Sequence, residues 1–176
     1  YFLLFISLSN AQDLQIDINS GQVEPLPIAI ADFTDKSGEA SSLGRSISNV
    51  ITNNLVGSGQ FKALETAAFI APPTSPSVRP NFNDWKPFGI KALVTGAIKI
   101  EKNNKIEVEF RLWDVVSETD MIGLRLTVDK VSWRRVSHII SDVTFERLTG
   151  DKGYFDTKVV YISESGPSNA RKKRLA

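Results

Sequence analysis

The chain has 176 residues, and 41% of them are apolar, which is the composition of one ordinary globular domain. The formal net charge is +1, but without the four consecutive basic residues at 171–174 the balance is 17 basic against 20 acidic residues, or −3. Such a body gives no electrostatic reason to expect nucleic acid or an anionic membrane as the main partner. The absence of cysteine and the single histidine exclude disulfides, thiol nucleophiles and ordinary zinc sites.

The first eleven residues have the pattern of a secretory signal. Residues 2–8 form a short apolar run, and Ser9-Asn10-Ala11 places small residues at the two positions that signal peptidase requires. The run is too short to span a bilayer. Because neither methionine nor a basic region precedes it, we expect residues 1–11 to be a signal-peptide remnant cleaved after Ala11. The alternative is a buried N-terminal strand.

Residues 12–22 are predicted to form an N-terminal tail. Apolar Leu14, Ile16 and Ile18 alternate with polar residues from position 13 to position 18, which is the period-two pattern of a strand with one wet face. Ser20-Gly21 then breaks the pattern.

An α/β domain is predicted over residues 23–152. Its first strand, Pro27–Phe33, is apolar on both parities, as a central strand covered on both faces must be. A helix begins after Ser41 or Ser42 and ends at Gly57. The elements that follow are a short strand at Phe61–Leu64, an exposed proline-rich loop at Pro72–Pro80 and a helical turn capped by Asn83.

The second half of the domain reads as a three-stranded meander and a helix. Strands are predicted at residues 92–98, 106–113 and 122–128, and Asn103-Asn104 tolerates the positive φ values of a tight hairpin. Trp113 falls on the polar parity of its strand, so either it covers a neighbouring element or an exposed patch around it is an interface. A helix from Trp133 to Leu148 completes an α/β fold with a mixed sheet of about five strands covered by two main helices.

The residues after the helix are predicted to begin a second domain, 153–176. Gly150 can take the left-handed conformation that closes a helix, and Gly153 releases the chain into an alternating strand that ends at Ile162. That strand has no predicted partner left in the chain, so we expect it to open a truncated domain. The basic cluster 171–174 is interpreted as a solvated hairpin or loop edge of that domain.

No catalytic constellation is apparent. His138 lies beside the apolar stripe of the last helix and is more plausible as a hydrogen-bonded packing residue than as a general base. Asp32 and Asp35 follow a buried strand, where an acidic pair and ordinary loop residues are alternative interpretations. Gly57-Ser-Gly59 follows a helix and precedes a strand, which indicates a helix end rather than a phosphate loop. We therefore expect no enzyme.

Residues 138–162 closely resemble the junction of the TolB family, with its Leu-Thr-Gly sequence, Gly-x-Phe and first propeller strand. Weaker similarity runs in the same order through Pro27–Phe33, residues 58–61, Trp85 and residues 110–114. The resemblance implies a periplasmic protein with an N-terminal domain of anticodon-binding-like topology and a C-terminal six-bladed β-propeller. It also implies a domain hinge, formed by Leu148, Thr149, Gly150, Gly153 and Phe155.

The same resemblance implies partners but no catalysis, metal or cofactor. In the family, the tail engages the C-terminal domain of the inner-membrane protein TolA, and the propeller docks the outer-membrane lipoprotein Pal. The system supports outer-membrane integrity and cell division. The tail residues concerned are Gln12, Asp13, Leu14, Gln15, Ile16, Asp17, Ile18 and Asn19. The alternative for Leu14–Ile18 is a resident edge strand of the chain's own sheet.

Two other classes of function remain open at this stage. One is RNA binding, which the anticodon-binding-like topology suggests and which requires a basic groove. The other is an accessory domain of a secreted, propeller-containing hydrolase, because propellers also gate such enzymes.

Overall fold

Five strands form one mixed sheet, and two helices pack against it. The computed structural model describes residues 24–35, 42–71, 75–157, 160, 162–167 and 169–175. The strands of the sheet are β1 (Leu26–Ile30), β2 (Phe61–Ala63), β3 (Ala92–Ile100), β4 (Lys105–Asp114) and β5 (Thr119–Asp129). The helices are α1 (Ser42–Gly57) and α2 (Trp133–Thr149), and a hairpin of β6 (Ile162–Ser165) and β7 (Lys172–Leu175) follows. The predicted α/β fold with a five-stranded mixed sheet is confirmed.

The strand order is β2-β1-β3-β4-β5. Strand β1 pairs in parallel with both β2 and β3, and β3, β4 and β5 form an antiparallel meander. Parallel pairing needs a crossover, which α1 supplies between β1 and β2. The β3–β4 turn contains Asn103 and Asn104 at φ values of 60° and 58°, as the sequence predicts. The order places β1 inside the sheet and leaves β2 and β5 at its edges.

The main core lies between the sheet and the two helices. Ile28 and Ile30 of β1 and alternate residues of β4, among them Phe110, meet Ile51 of α1 and Ile140 of α2, and all of these are buried. The helical spacing of apolar residues in α1 and α2 produces this face, because residues three or four apart lie on one side of a helix. Phe33 is fully buried and closes the core beside β3.

The connection from β2 to β3 covers the opposite face of the sheet. It contains three short 3₁₀ turns at Thr66–Ala68, Phe82–Asp84 and Lys86–Phe88. Trp85 packs there with Ala29 and Leu93, so β1 is buried on both faces, as its double apolar parity predicts. The cap of the second turn is Asn81, whose side chain accepts a hydrogen bond from the Asn83 backbone N–H; the prediction of Asn83 as the cap is wrong by two residues.

Trp113 lies inside this second core. The ring is only 6% exposed, it packs edge-on against Phe82, and its Nε1 donates a hydrogen bond of 3.0 Å to Thr95 Oγ1. Of the two predicted alternatives, the covering role is the one found, and an exposed interface patch centred on Trp113 is wrong. Trp113 does lie on the polar side of β4, but the β2–β3 connection covers that side at this position, so the ring is buried.

Helix α2 ends where the sequence predicts, and the segment beyond it differs from the prediction. Gly150 has a φ of 83°, and its N–H donates to the Glu146 carbonyl oxygen. Strand β6 pairs antiparallel with β7, so the expectation that the predicted strand has no partner in the chain is wrong at its last residue, Ile162, while positions 158, 159 and 161 lie outside the described residues. Lys172–Leu175 is exposed throughout, which agrees with a solvated hairpin for the basic cluster. Hydrogen bonds from Lys173 and Arg171 to the Glu164 carboxylate lower the pKa of that carboxyl.

Within the described ranges, no helix has the length and apolar composition needed to cross a membrane.

Gly96→Ala is expected to destabilise the domain by about 1–3 kcal/mol, because a Cβ at Gly96 would overlap the buried ring of Phe33. The matched control is Gly57→Ala at the end of α1, where a Cβ meets nothing within 4 Å. This control should leave the free energy of unfolding unchanged or raise it by about 0.4–1 kcal/mol. Urea unfolding followed by circular dichroism measures both, and equal midpoints for Gly96→Ala and the parent chain would contradict the packing described.

Trp113→Phe is expected to lower the free energy of unfolding by about 1–3 kcal/mol, since it removes a buried donor and leaves the Thr95 hydroxyl without that partner. Thr95→Val, made in the parent chain and in the Trp113→Phe variant, tests the hydrogen bond itself. If Trp113 and Thr95 are coupled, the double variant loses less than the sum of the single losses by at least about 0.5 kcal/mol. Strict additivity in the double-mutant cycle would show that the contact contributes nothing.

Candidate partner-binding elements

The predicted tail, Gln12 to Asn19, lies outside the described residues. The first described residue is Glu24, and β1 begins at Leu26. Both long sides of β1 are occupied, because β2 and β3 pair with it. Consequently, no further strand can pair with β1.

Strands β2 and β5 are the two edges of the described sheet, and they differ in length. Strand β2 has 3 residues and β5 has 11. The apolar row of β5 is incompletely covered: Ile122, Leu124, Leu126 and Val128 are half-buried, whereas the β4 residues opposite them are buried. A groove of about 260 Å³ lies between the end of β5 and α2, and it is lined by Val128, Asp129, Ser132, Arg135, Val136 and Ile139.

The outer face of the meander carries paired charges. Arg125 Nη2 lies 2.9 Å from Glu109 Oε2, its Nε lies 3.9 Å from Glu107 Oε1, and Arg111 Nη1 lies 3.4 Å from Asp120 Oδ2. The hydrogen bond from Arg125 to Glu109 raises the pKa of Arg125 further above its ordinary value. Each arginine on this face thus meets a carboxylate, and the face does not have the unbroken basic surface that RNA binding requires.

Glu118 fastens the β2–β3 connection to the turn between β4 and β5. Lys86 Nζ donates to its carboxylate at 2.5 Å, and Arg79 Nη2 lies 3.4 Å away. The hydrogen bond from Lys86 and the charges of both cations lower the pKa of Glu118. Glu118 itself has a φ of 57°, a left-handed conformation that the turn imposes. The carboxylate therefore joins a loop to a turn, which is a structural role.

The residues considered for catalysis also have structural contacts. His138 Nδ1 lies 2.9 Å from Asn54 Nδ2, and the same amide nitrogen donates to Ser141 Oγ at 3.0 Å, which joins α1 to α2. Asp32 Oδ1 accepts a 2.8 Å hydrogen bond from Ser48 Oγ. These contacts favour a packing role for His138 and an ordinary loop role for Asp32. Across the parts of the chain that the structure describes, no cluster of three or more acidic or histidine ligands is arranged for a metal ion.

The five predicted hinge residues are packed or hydrogen-bonded to different degrees. Leu148 packs against the main core, and Thr149 Oγ1 donates to the Phe145 carbonyl oxygen at 2.8 Å. Gly150 is the helix cap described above. Gly153 lies directly against Asp142, and Phe155 packs on Phe145 with a ring separation of 5.8 Å. That these residues form a domain hinge stays a prediction.

Asp142 is the residue at this junction that sequence reasoning missed. One carboxylate oxygen accepts the Phe155 N–H at 2.6 Å and the other accepts the Asp156 N–H at 3.0 Å. Its partners lie 13 and 14 positions further along the chain, so neither helical periodicity nor a capping motif points to them.

Comparison with known proteins identifies the family. The family model described as the TolB amino-terminal domain matches residues 14–121, which include most of the predicted tail and the sheet up to the start of β5. The Tol-Pal system protein TolB of Paramagnetospirillum magneticum is 46% identical over 164 residues, which cover 93% of this chain and 37% of the relative. The crystal structure of TolB from Acinetobacter baumannii superimposes with a TM-score of 0.68 and 25% identity over 86% of this chain and 36% of that chain.

The chain thus spans little more than a third of the length of these relatives. Sequence identity, the domain model and the superposition agree over most of its residues. The chain belongs to the TolB family.

Proposed function

We propose that this chain serves in a periplasmic adaptor of the Tol-Pal envelope complex, which links inner-membrane TolA to outer-membrane Pal for outer-membrane integrity and cell division. The observation that carries the proposal is the 46% identity to a Tol-Pal system protein over nearly the whole chain. Binding to TolA is assigned to the tail, Gln12–Asn19. Binding to Pal is assigned to the β-propeller that the family resemblance implies.

Strand addition is the binding mode that the tail sequence supports best. Leu14, Ile16 and Ile18 on one side of an extended segment can enter apolar pockets, while the backbone pairs with an exposed sheet edge of the partner. The intervening Asp13, Gln15 and Asp17 then face water. Binding by strand addition accounts for the regular alternation of apolar and polar residues in this segment.

The energetics predict weak and reversible binding. About five new backbone hydrogen bonds at a net ~0.5–1.5 kcal/mol each contribute roughly 3–7 kcal/mol. Ordering a free segment costs about 1–2 kcal/mol per residue, so hydrogen bonds alone do not hold it. Burial of the three apolar side chains must supply the difference at ~1.5–3 kcal/mol each. The apolar side chains should therefore decide the affinity, and the polar ones should contribute little.

The architecture of the domain is compatible with a tail that acts outside its own sheet. The tail joins a strand already paired on both sides, so it cannot extend the sheet at its point of departure. A resident edge strand would have to reach β2 or β5 instead. The test below separates these possibilities, because a resident strand contributes to the stability of the domain and a free recognition segment does not.

A non-catalytic role fits the contacts of the polar residues. The single histidine bonds across the helix pair and Asp32 bonds to α1. A protein that connects other proteins needs a stable body and an accessible recognition segment, and the domain and its tail supply these separately. The apolar run at residues 2–8 before Ala11 supports export to the periplasm, where both proposed partners are accessible.

Deletion of residues 12–19 is expected to abolish binding to the isolated C-terminal domain of TolA without changing the thermal unfolding of the α/β domain. Isothermal titration calorimetry measures the affinity, and circular dichroism measures the unfolding. The chain beginning at Gln12 is the reference. Unchanged affinity after the deletion would refute the assignment of the tail, and a large drop in the unfolding temperature with unchanged affinity would identify a resident edge strand.

A matched pair of substitutions tests the mode of binding. Ile16→Lys places a charge on the apolar side of the tail and should weaken TolA binding by at least about ten-fold, because the ammonium group would enter an apolar pocket. Gln15→Lys adds the same charge on the polar side and should change the affinity by less than about three-fold. Equal losses for the two variants would argue for a general charge effect and against strand addition.

A further inference from the structure

The four residues Gly153–Asp156, called the strap below, are held along α2 by contacts at both ends. Gly150 closes the helix, and two exposed residues, Asp151 and Lys152, connect it to the strap. The strap then turns back against the helix instead of leaving it. Its position depends on three independent kinds of contact.

The first kind of contact is the carboxylate of Asp142. Its two oxygens accept the backbone N–H groups of Phe155 and Asp156 at 2.6 Å and 3.0 Å. Two consecutive backbone donors are thereby satisfied by one helix-borne anion, and hydrogen bonds to a charged acceptor are about twice as strong as neutral ones. This arrangement fixes the backbone of the strap and not merely a side chain.

The second kind of contact is steric. A Cβ at Gly153 would overlap the Cα and the carboxylate of Asp142, so the strap approaches α2 more closely than any other residue type permits. This requirement differs from that at Gly150, where a φ of 83° is needed but the space around the position is open. The two glycines of the junction are therefore required for different reasons, one for proximity and one for conformation.

The third kind of contact is made by side chains. Phe145 of α2 packs against Tyr154 at 5.6 Å and Phe155 at 5.8 Å between ring centres. At the far end, Arg135 Nε lies 3.2 Å from Asp156 Oδ2. Because Arg135, Asp142 and Phe145 come from different turns of the helix, the strap is fixed along its length.

We infer that the strap is a rigid extension of the α/β domain, and that the pivot toward the following segment lies beyond Asp156 and not at Gly150. Asp142 is the positioning residue that sets this boundary. The contacts of the strap are with α2, and Asn54 joins α1 to α2 through His138 and Ser141. The inference does not depend on the proposed partners.

Backbone ¹⁵N relaxation and amide hydrogen exchange of the chain beginning at Gln12 test the inference directly. Heteronuclear NOE values from Asp151 through Asp156 should match those of α2 and should fall only beyond Thr157, since these values report fast backbone motion. The Phe155 and Asp156 amides should exchange at least about ten-fold more slowly than unprotected amides of the same local sequence. A fall in order that begins at Asp151 would overturn the inference without any variant.

Three variants identify the cause. Asp142→Ala and Gly153→Ala should each accelerate exchange at Phe155 and Asp156 by about ten-fold or more, one by removing the acceptor and the other by displacing the strap. Glu146→Gln, one helical turn after Asp142 and exposed, is the control with the same loss of an acidic charge from α2, and it should change neither amide. Exchange unchanged in both Asp142→Ala and Gly153→Ala would overturn the role of the strap. Should Asp142→Ala fail to fold, Gly153→Ala and the relaxation profile of the parent chain still decide the question.

Discussion

The structure depends on the double pairing of β1. This strand has five residues, and it is the only described strand with parallel neighbours on both sides and buried residues on both faces. Its parallel pairing with β2 requires the α1 crossover, which supplies one wall of the main core. Its pairing with β3 starts the meander on which α2 packs. The long β2–β3 connection must then cover the other face, because Ala29 and Leu93 would otherwise lie open to water.

Function is separated from this framework at its two ends. At one end, the proposed recognition segment precedes β1, which is paired on both sides. At the other end, the strap returns to α2 and is held by Asp142 and Gly153. The domain therefore connects a segment proposed to bind elsewhere with a segment bound closely to its own body.

The sequence predicted those features that arise from local patterns. The double apolar parity of residues 27–33, the Asn103-Asn104 turn and the Gly150 helix end all follow from short-range chemistry, and the structure shows each of them. The failures involve distant residues. Whether Trp113 is exposed depends on the loop that crosses above it, and the partner of β6 is a basic run without alternation that gives no strand signal. Asp142 could not be found because its partners lie more than three helical turns away along the chain.

The proposed recognition segment is supported both by the family resemblance and by physical reasoning. A conserved fold alone does not assign a partner, because one architecture supports many functions. The tail adds a second line of argument, since β1 is paired on both sides and an alternating apolar segment that binds by strand pairing needs another edge. Either a partner sheet or a distant edge of the same domain can provide that edge, and the two differ in one respect: only the second makes the stability of the α/β domain depend on the tail. The tail's effect on unfolding therefore distinguishes an adaptor arm from an additional strand.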